Sequence, residues 1–224
     1  MSSPPRLPPR PKAASLFMAA PVVFLGGLGL AVAVLFVLTR FGDTTAQGER
    51  VAIEFSGSCV EEAQELLTQR AAQIGMPAAM NGATMETTLP EMNNARVLVS
   101  ALLVQRGDFT VQDADGKSVF TNTHIDEVAI DLDEVGMPVT FIKLDASARA
   151  SLRALNDTDS LVPVVDGSTF DATTAADLRD EAVITLHSGI GMTADRMKRA
   201  ADLAIILEHG PLPCSLSIKR VTAL

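Results

Sequence analysis

The chain has 224 residues, 47% of them apolar, with 18 Lys and Arg set against 27 Asp and Glu. The imbalance is local: residues 1–40 hold four cations and no acid, so residues 41–224 carry 14 cations against all 27 acids, a net of −13. An acidic main body repels phosphate backbones and anionic headgroups, which argues against nucleic-acid binding and for a domain that stands off a bilayer.

Residues 1–15 open with MSSPPRLPPRPK. This is expected to be a short cytoplasmic tail whose cations set topology, although its Pro5-to-Pro8 spacing also fits a polyproline II ligand. From Leu16 to Leu38 run 23 residues without a charged side chain. At 1.5 Å per residue they reach about 34 Å, enough to cross a hydrocarbon core of about 30 Å. Residues 16–39 are therefore predicted to be a membrane anchor in contact with the lipid bilayer. The rival is a cleavable signal peptide, whose apolar region is typically about 7–15 residues; its best cleavage site here, Thr44-Thr45-Ala46, is mediocre. Arg6, Arg10 and Lys12 precede the span and keep the N-terminus cytoplasmic. Everything after a linker at 40–49 then lies outside, in a periplasm where the cell has two membranes.

RVAIEFS (50–56) alternates apolar and polar residues and is predicted to be a half-buried strand. CVEEAQELLTQRAAQIG places Val60, Ala63, Leu66, Leu67, Ala71 and Ile74 on one helical face, with Ser58 as the expected N-cap and Gly75 as the stop. ATMETTL (83–89) reads as a second strand, followed by a helix over about 92–105 and by the strand DFTVQD, closed at Asp115-Gly116. HIDEVAIDLDEVG (124–136) is acidic and is expected to be helical or irregular. MPVTFIKL (137–144) is a strand leading into a helix capped by Asp145. LVPVVDG (161–167) and EAVITLH (181–187) are further strands. The last helix is expected to start at an N-cap Thr193 and to stop at Gly210, buried on most sides between Ala200 and Leu207.

This order predicts an α+β protein. An N-terminal transmembrane helix precedes a split βαβ base of ferredoxin-like type, interrupted by an inserted α+β head. The expected divisions are base 50–117, head 118–190 and base again 191–224.

Chemistry-bearing patterns are sparse. His124, His187 and His209 stand singly, outside any metal or catalytic spacing. Gly57-Ser58-Cys59 lacks the context of a nucleophile turn, and DADGK (113–117) lacks the distal acid of a calcium loop. No catalytic, cofactor-binding or metal residue is expected, and the protein is not expected to be an enzyme.

TADRMKRAADLAIILEHGPLPCSLSI resembles the end of the first large periplasmic domain of the SecD family. The matching positions are Thr193, Ala201, Leu203, Ala204, Leu207, Gly210, Leu212, Pro213 and Leu216, whereas Pro211 replaces the usual alanine. LVPVVDGSTFDA is similar to a strand and turn of that family at Asp166 and Gly167, and TTLPEMNNARVLVSALLVQRGDFTV is similar at Leu89, Pro90, Ala95 and Phe109. The family's glycine-rich motif at the start of the domain is reduced here to IEFSGS. The resemblance implies a base with an inserted head that contacts translocating polypeptide or Sec translocase subunits. It also implies a bacterial inner membrane location, with a single span in place of the family's several. Proton-driven pumping is not carried over. A second reading is a structural or interaction subunit of an envelope complex with no role in secretion.

In a base of this type the last strand lies antiparallel beside the first, which brings Cys59 and Cys214 near one another. An exported location permits a disulfide between them; the alternative is two separate buried thiols.

Overall fold

The computed structural model describes residues 48–91, 95–189 and 191–224. The expected cytoplasmic tail, the anchor and nearly all of the linker lie outside the described residues. Among the described residues no helix is long and apolar enough to cross a membrane.

β1 (Glu49–Ser56) buries Val51, Ile53 and Phe55 on one face, the period of two that its sequence carries. α1 (Val60–Gln73) buries Val60, Ala63, Leu67 and Ala71 against that face. A hairpin follows, β2 (Ala78–Asn81) and β3 (Thr84–Leu89). Its two-residue turn is Gly82-Ala83, with Gly82 at a φ of 57° that favours glycine. α2 (Ala95–Val104) packs on α1 and on the same sheet. The last strand, β12 (Ser217–Ala223), closes a four-stranded antiparallel sheet in the order β12-β1-β3-β2. β3 thus lies between the two strands that α1 connects.

Between α2 and β12 the chain builds two further sheets. The second has the order β10-β8-β4-β5, formed by β4 (Phe109–Gln112), β5 (Ser118–Thr121), β8 (Ser160–Val165) and β10 (Thr173–Thr174), with β9 (Ser168–Thr169) folded back on β8. The third has the order β11-β7-β6, formed by β6 (Ile125–Leu132), β7 (Pro138–Leu144) and β11 (Val183–His187). Two short helices connect them, α3 (Ala146–Leu152) and α4 (Ala175–Glu181), capped by Asp145 and Thr174 through bonds to the Ala148 and Asp177 amides. α5 (Thr193–Glu208) lies across β6 and β7 and buries Ala200, Ala201 and Ala204 against Ile130. One buried apolar cluster runs from Val51 and Phe55 through Phe109, Phe120 and Ile142 to Leu186 and Leu216.

Three expectations about individual elements are corrected. Residues 125–132 form a strand, not a helix or an irregular stretch: Val128 and Ile130 pair with Ile142 and Thr140 of β7. A bulge between Ile125 and Glu127 breaks the period of two at its start and hides the pattern. The N-cap of α1 is Cys59, not Ser58, and makes no side-chain capping bond. Thr193 is the first residue of α5, whose N-cap is Met192. The 117/118 division falls inside the β4–β5 hairpin, where Val111 pairs with Phe120, so β4 sits in the second sheet rather than the first.

Candidate functional site

An arginine interrupts the apolar stripe of α1. Arg70 is four residues beyond Leu66 and three beyond Leu67, so helical spacing turns it inward, and it is 0% exposed. Its guanidinium meets the ends of two other helices. Nη1 donates to Gln105 O and, at 3.5 Å, to Leu103 O at the end of α2. Nη2 donates to Arg106 O at 3.2 Å and to Ile206 O and Gly210 O at 3.2 and 3.1 Å, at the end of α5. Terminal helix carbonyls lack partners within their own helix and carry partial negative charge, so a planar fork of five donors suits them. Burial pushes the Arg70 pKa down to about 10, opposed by the Asp166 carboxylate, which leaves it cationic at neutral pH.

Asp166 ties the second sheet to this junction. With Gly167 it forms the two-residue β8–β9 turn, at φ of 48° and 78°. Both values are left-handed, as such hairpins require. Its carboxylate accepts from the Gly107 amide at 3.1 Å and the Asp108 amide at 2.8 Å, while its own amide donates to Asp108 O. Asn122 bridges the same segment, donating to Gly107 O and accepting from Phe109 N, both at 2.8 Å. Gly107 has no room for a side chain: a Cβ there would lie 2.5 Å from Ile206 O. The Leu212 amide donates to Arg106 O at 2.8 Å. Asp166, Gly210 and Leu212 are therefore brought together through Arg70 and residues 105–108. Pro213 is exposed beside them. Cys59 and Cys214 are joined by a disulfide with a Cα separation of 5.9 Å, between the start of α1 and the entry to β12.

Over the junction opens a cleft of about 400 Å³. Asn122 and residues 125–129 of β6 form one side, and residues 207–210 at the end of α5 form the other. Consecutive strand residues point to opposite faces, so a wall made of five in a row is the edge of the strand rather than one face. β6 pairs only with β7 among the described strands, leaving that edge open. Asp126 and Glu127 hold Lys143 Nζ between them at 2.9 and 3.4 Å. Asp126, then Glu127, keeps that ammonium above the ordinary lysine value despite desolvation. At the other wall Gln73 donates to Glu208 and bonds His209 Nε2 at 3.1 Å.

The other polar candidates lie apart. His124 Nδ1 accepts from the Thr121 amide, and His187 stands 3.7 Å from Asp133. Asp113 closes the β4–β5 turn by accepting from the amides of Asp115 and Lys117. Among the described residues no three His, Cys, Asp or Glu side chains converge as a metal-holding group. Sequence reasoning missed Arg70, Gly107 and Asn122. Only Arg70 carried a signal, a cation at a position where the helical period demands burial.

No family model matches the sequence, and no curated protein matches it. Solved structures do. One is SecDF in a super-membrane-facing form, at a TM-score of 0.61 and 14% identity, covering 88% of this chain. The chain spans 34% of that structure's length. Another is a structure of SecDF, described as a membrane component that enhances protein export, at a TM-score of 0.60 and 13% identity. It covers 78% of this chain and is itself covered in full. The described residues therefore have a mixed α and β fold resembling the periplasmic domain of SecD and SecF.

Proposed function

We propose that this chain is a membrane-anchored, non-enzymatic accessory of protein export. In this reading residues 16–39 hold it in a bacterial inner membrane and the acidic body stands in the periplasm. The first sheet with α1 and α2 is a ferredoxin-like base, and residues 107–208 form the head inserted in it. The head contacts translocating polypeptide or Sec translocase subunits. The observation that carries the reading is the arrangement itself: a β12-β1-β3-β2 sheet with two further sheets inserted before its last strand, in a fold shared with SecDF. The open cleft at the junction of the two parts offers a place for a chain to lie.

The test is recovery of partners of the tagged full chain from membranes after cross-linking during export. Sec subunits or an exporting chain bound to the head support the reading. A stable envelope complex free of both overturns it in favour of a structural subunit.

A further inference from the structure

We propose that the outer edge of β6 accepts an extended polypeptide segment as an added strand, and that the cleft at its start takes a Lys or Arg side chain of that segment. The inference deepens the polypeptide-contact reading and rests on it. An unpaired strand edge presents a row of backbone donors and acceptors that match any extended chain, so the backbone supplies affinity without sequence preference. β6 has eight residues, a ladder of about 26 Å at 3.3 Å per residue.

Charge selects the side chains. The cleft gathers the carboxylates of Asp126, Glu127 and Glu208, with Lys143 between the first two, while the carbonyl end of α5 is already engaged by the Arg70 guanidinium. The facing imidazole of His209 is held by Gln73. The Asp126 and Glu127 side chains remain 49% and 38% exposed although paired with Lys143, so an incoming cation reaches them. Further along, Asp131 continues the acidic character, and Leu132 and Val135 are exposed at the hairpin tip. A segment that alternates basic and apolar residues fits this edge, and an acidic one is repelled.

The competing explanation is that the acids only guard an exposed edge against aggregation, and the experiment separates the two. An eight-residue fluorescent peptide of alternating Val and Lys is titrated against the full chain in detergent. The expected result is saturable binding that weakens as salt is raised. The Val–Glu counterpart should bind at least about tenfold less tightly, and N-methylation of alternate amides on the Val–Lys peptide should abolish binding. The double substitution Asp126→Asn and Glu127→Gln should cost about fivefold in affinity, the scale of two partly exposed ion pairs. A photo-cross-linker at position 128 should capture the peptide, and one at 185, on the strand at the opposite edge, should not. Equal binding of the N-methylated peptide, or no binding of either peptide, overturns strand addition. If an exporting chain still cross-links to the head, the broader reading survives that failure; if none does, both fall.

Discussion

Replacing Arg70 with methionine keeps a long apolar stem in the α1 stripe and removes the fork that joins α2 to α5. Four carbonyls lose a close donor, those of Gln105, Arg106, Ile206 and Gly210, while the 3.5 Å contact with Leu103 contributes little. At about 1.5 kcal/mol for each bond to a charged donor the loss is about 6 kcal/mol. Against it stands the relief of burying a cation. A pKa pushed from 12.5 to about 10 by burial corresponds to about 3 kcal/mol of penalty. The expected net destabilisation is about 3 kcal/mol, or a fall in Tm of about 6–12 °C for a domain of this size. Arg70→Lys keeps the charge but replaces the planar fork with a point donor, so it should be no better than methionine. Urea unfolding followed by circular dichroism, under non-reducing conditions, measures both. A methionine variant within about 0.5 kcal/mol of the parent would show that water satisfies those helix ends and that the junction does not depend on Arg70.

Reduction, or Cys214→Ala, should lower stability by up to about 5 kcal/mol, the chain-entropy limit for closing a loop of this length; unchanged urea midpoints with and without reductant would refute it. Reporter fusions at residue 45 and at the C-terminus should both show an exported location, and a mature N-terminus near Gln47 would remove the anchor. The Asp145 carboxyl is held below its ordinary value of 3.8, first by the Ala148 amide and then by the Ser147 hydroxyl. Its contribution is complete above the unfolded pKa and is lost as pH falls through the lower folded value. Stability of Asp145→Asn should therefore fall less than that of the parent between about pH 5 and 3, and parallel curves would count against the cap.

Most of the base was legible because its elements carry undisturbed periods. β1 alternates without a break, and α1 and the Gly210 stop follow helical spacing. The hairpin before β3 was missed, because the short β2 has only Ala78, Ala79 and Met80 to signal a strand. β6 was lost for a different reason: a bulge shifts its phase, and the acids that suit an open edge look like those of a solvated helix. The junction was only half visible. The turn chemistry of Asp166 and Gly167 can be read locally, but what their carboxylate and backbone face depends on residues 105–108, about 60 positions away. Asn122 gave no local sign at all, since both of its bonds reach back across the β4–β5 hairpin.

The same topology decides where the molecule can be cut. Deleting 118–190, the division expected from sequence, would take β5 and β8 away from β4 and expose Phe109 and Val111, both fully buried in the intact protein. It would also strip β6 and β7 from beneath α5, leaving Ala200, Ala201 and Ala204 without their apolar partner Ile130. That deletion should yield an insoluble or molten chain. A cut that respects the sheets removes 107–210. The ends it leaves are already adjacent, because the Leu212 amide bonds Arg106 O at 2.8 Å, so a two-residue Gly-Ser bridge can span them. The product keeps β1, α1, the β2–β3 hairpin, α2, β12 and both cysteines. It also loses Ile206 O and Gly210 O as partners of Arg70, so it should fold cooperatively but with lower stability than the parent; pairing it with Arg70→Met should then cost less than in the intact chain. Circular dichroism melts and non-reducing mass analysis of the cysteine pair report the outcome. A cooperative 118–190 deletion, or a 107–210 excision that neither melts cooperatively nor forms the Cys59–Cys214 bond, would refute the claim that the first sheet and its two helices stand as a unit.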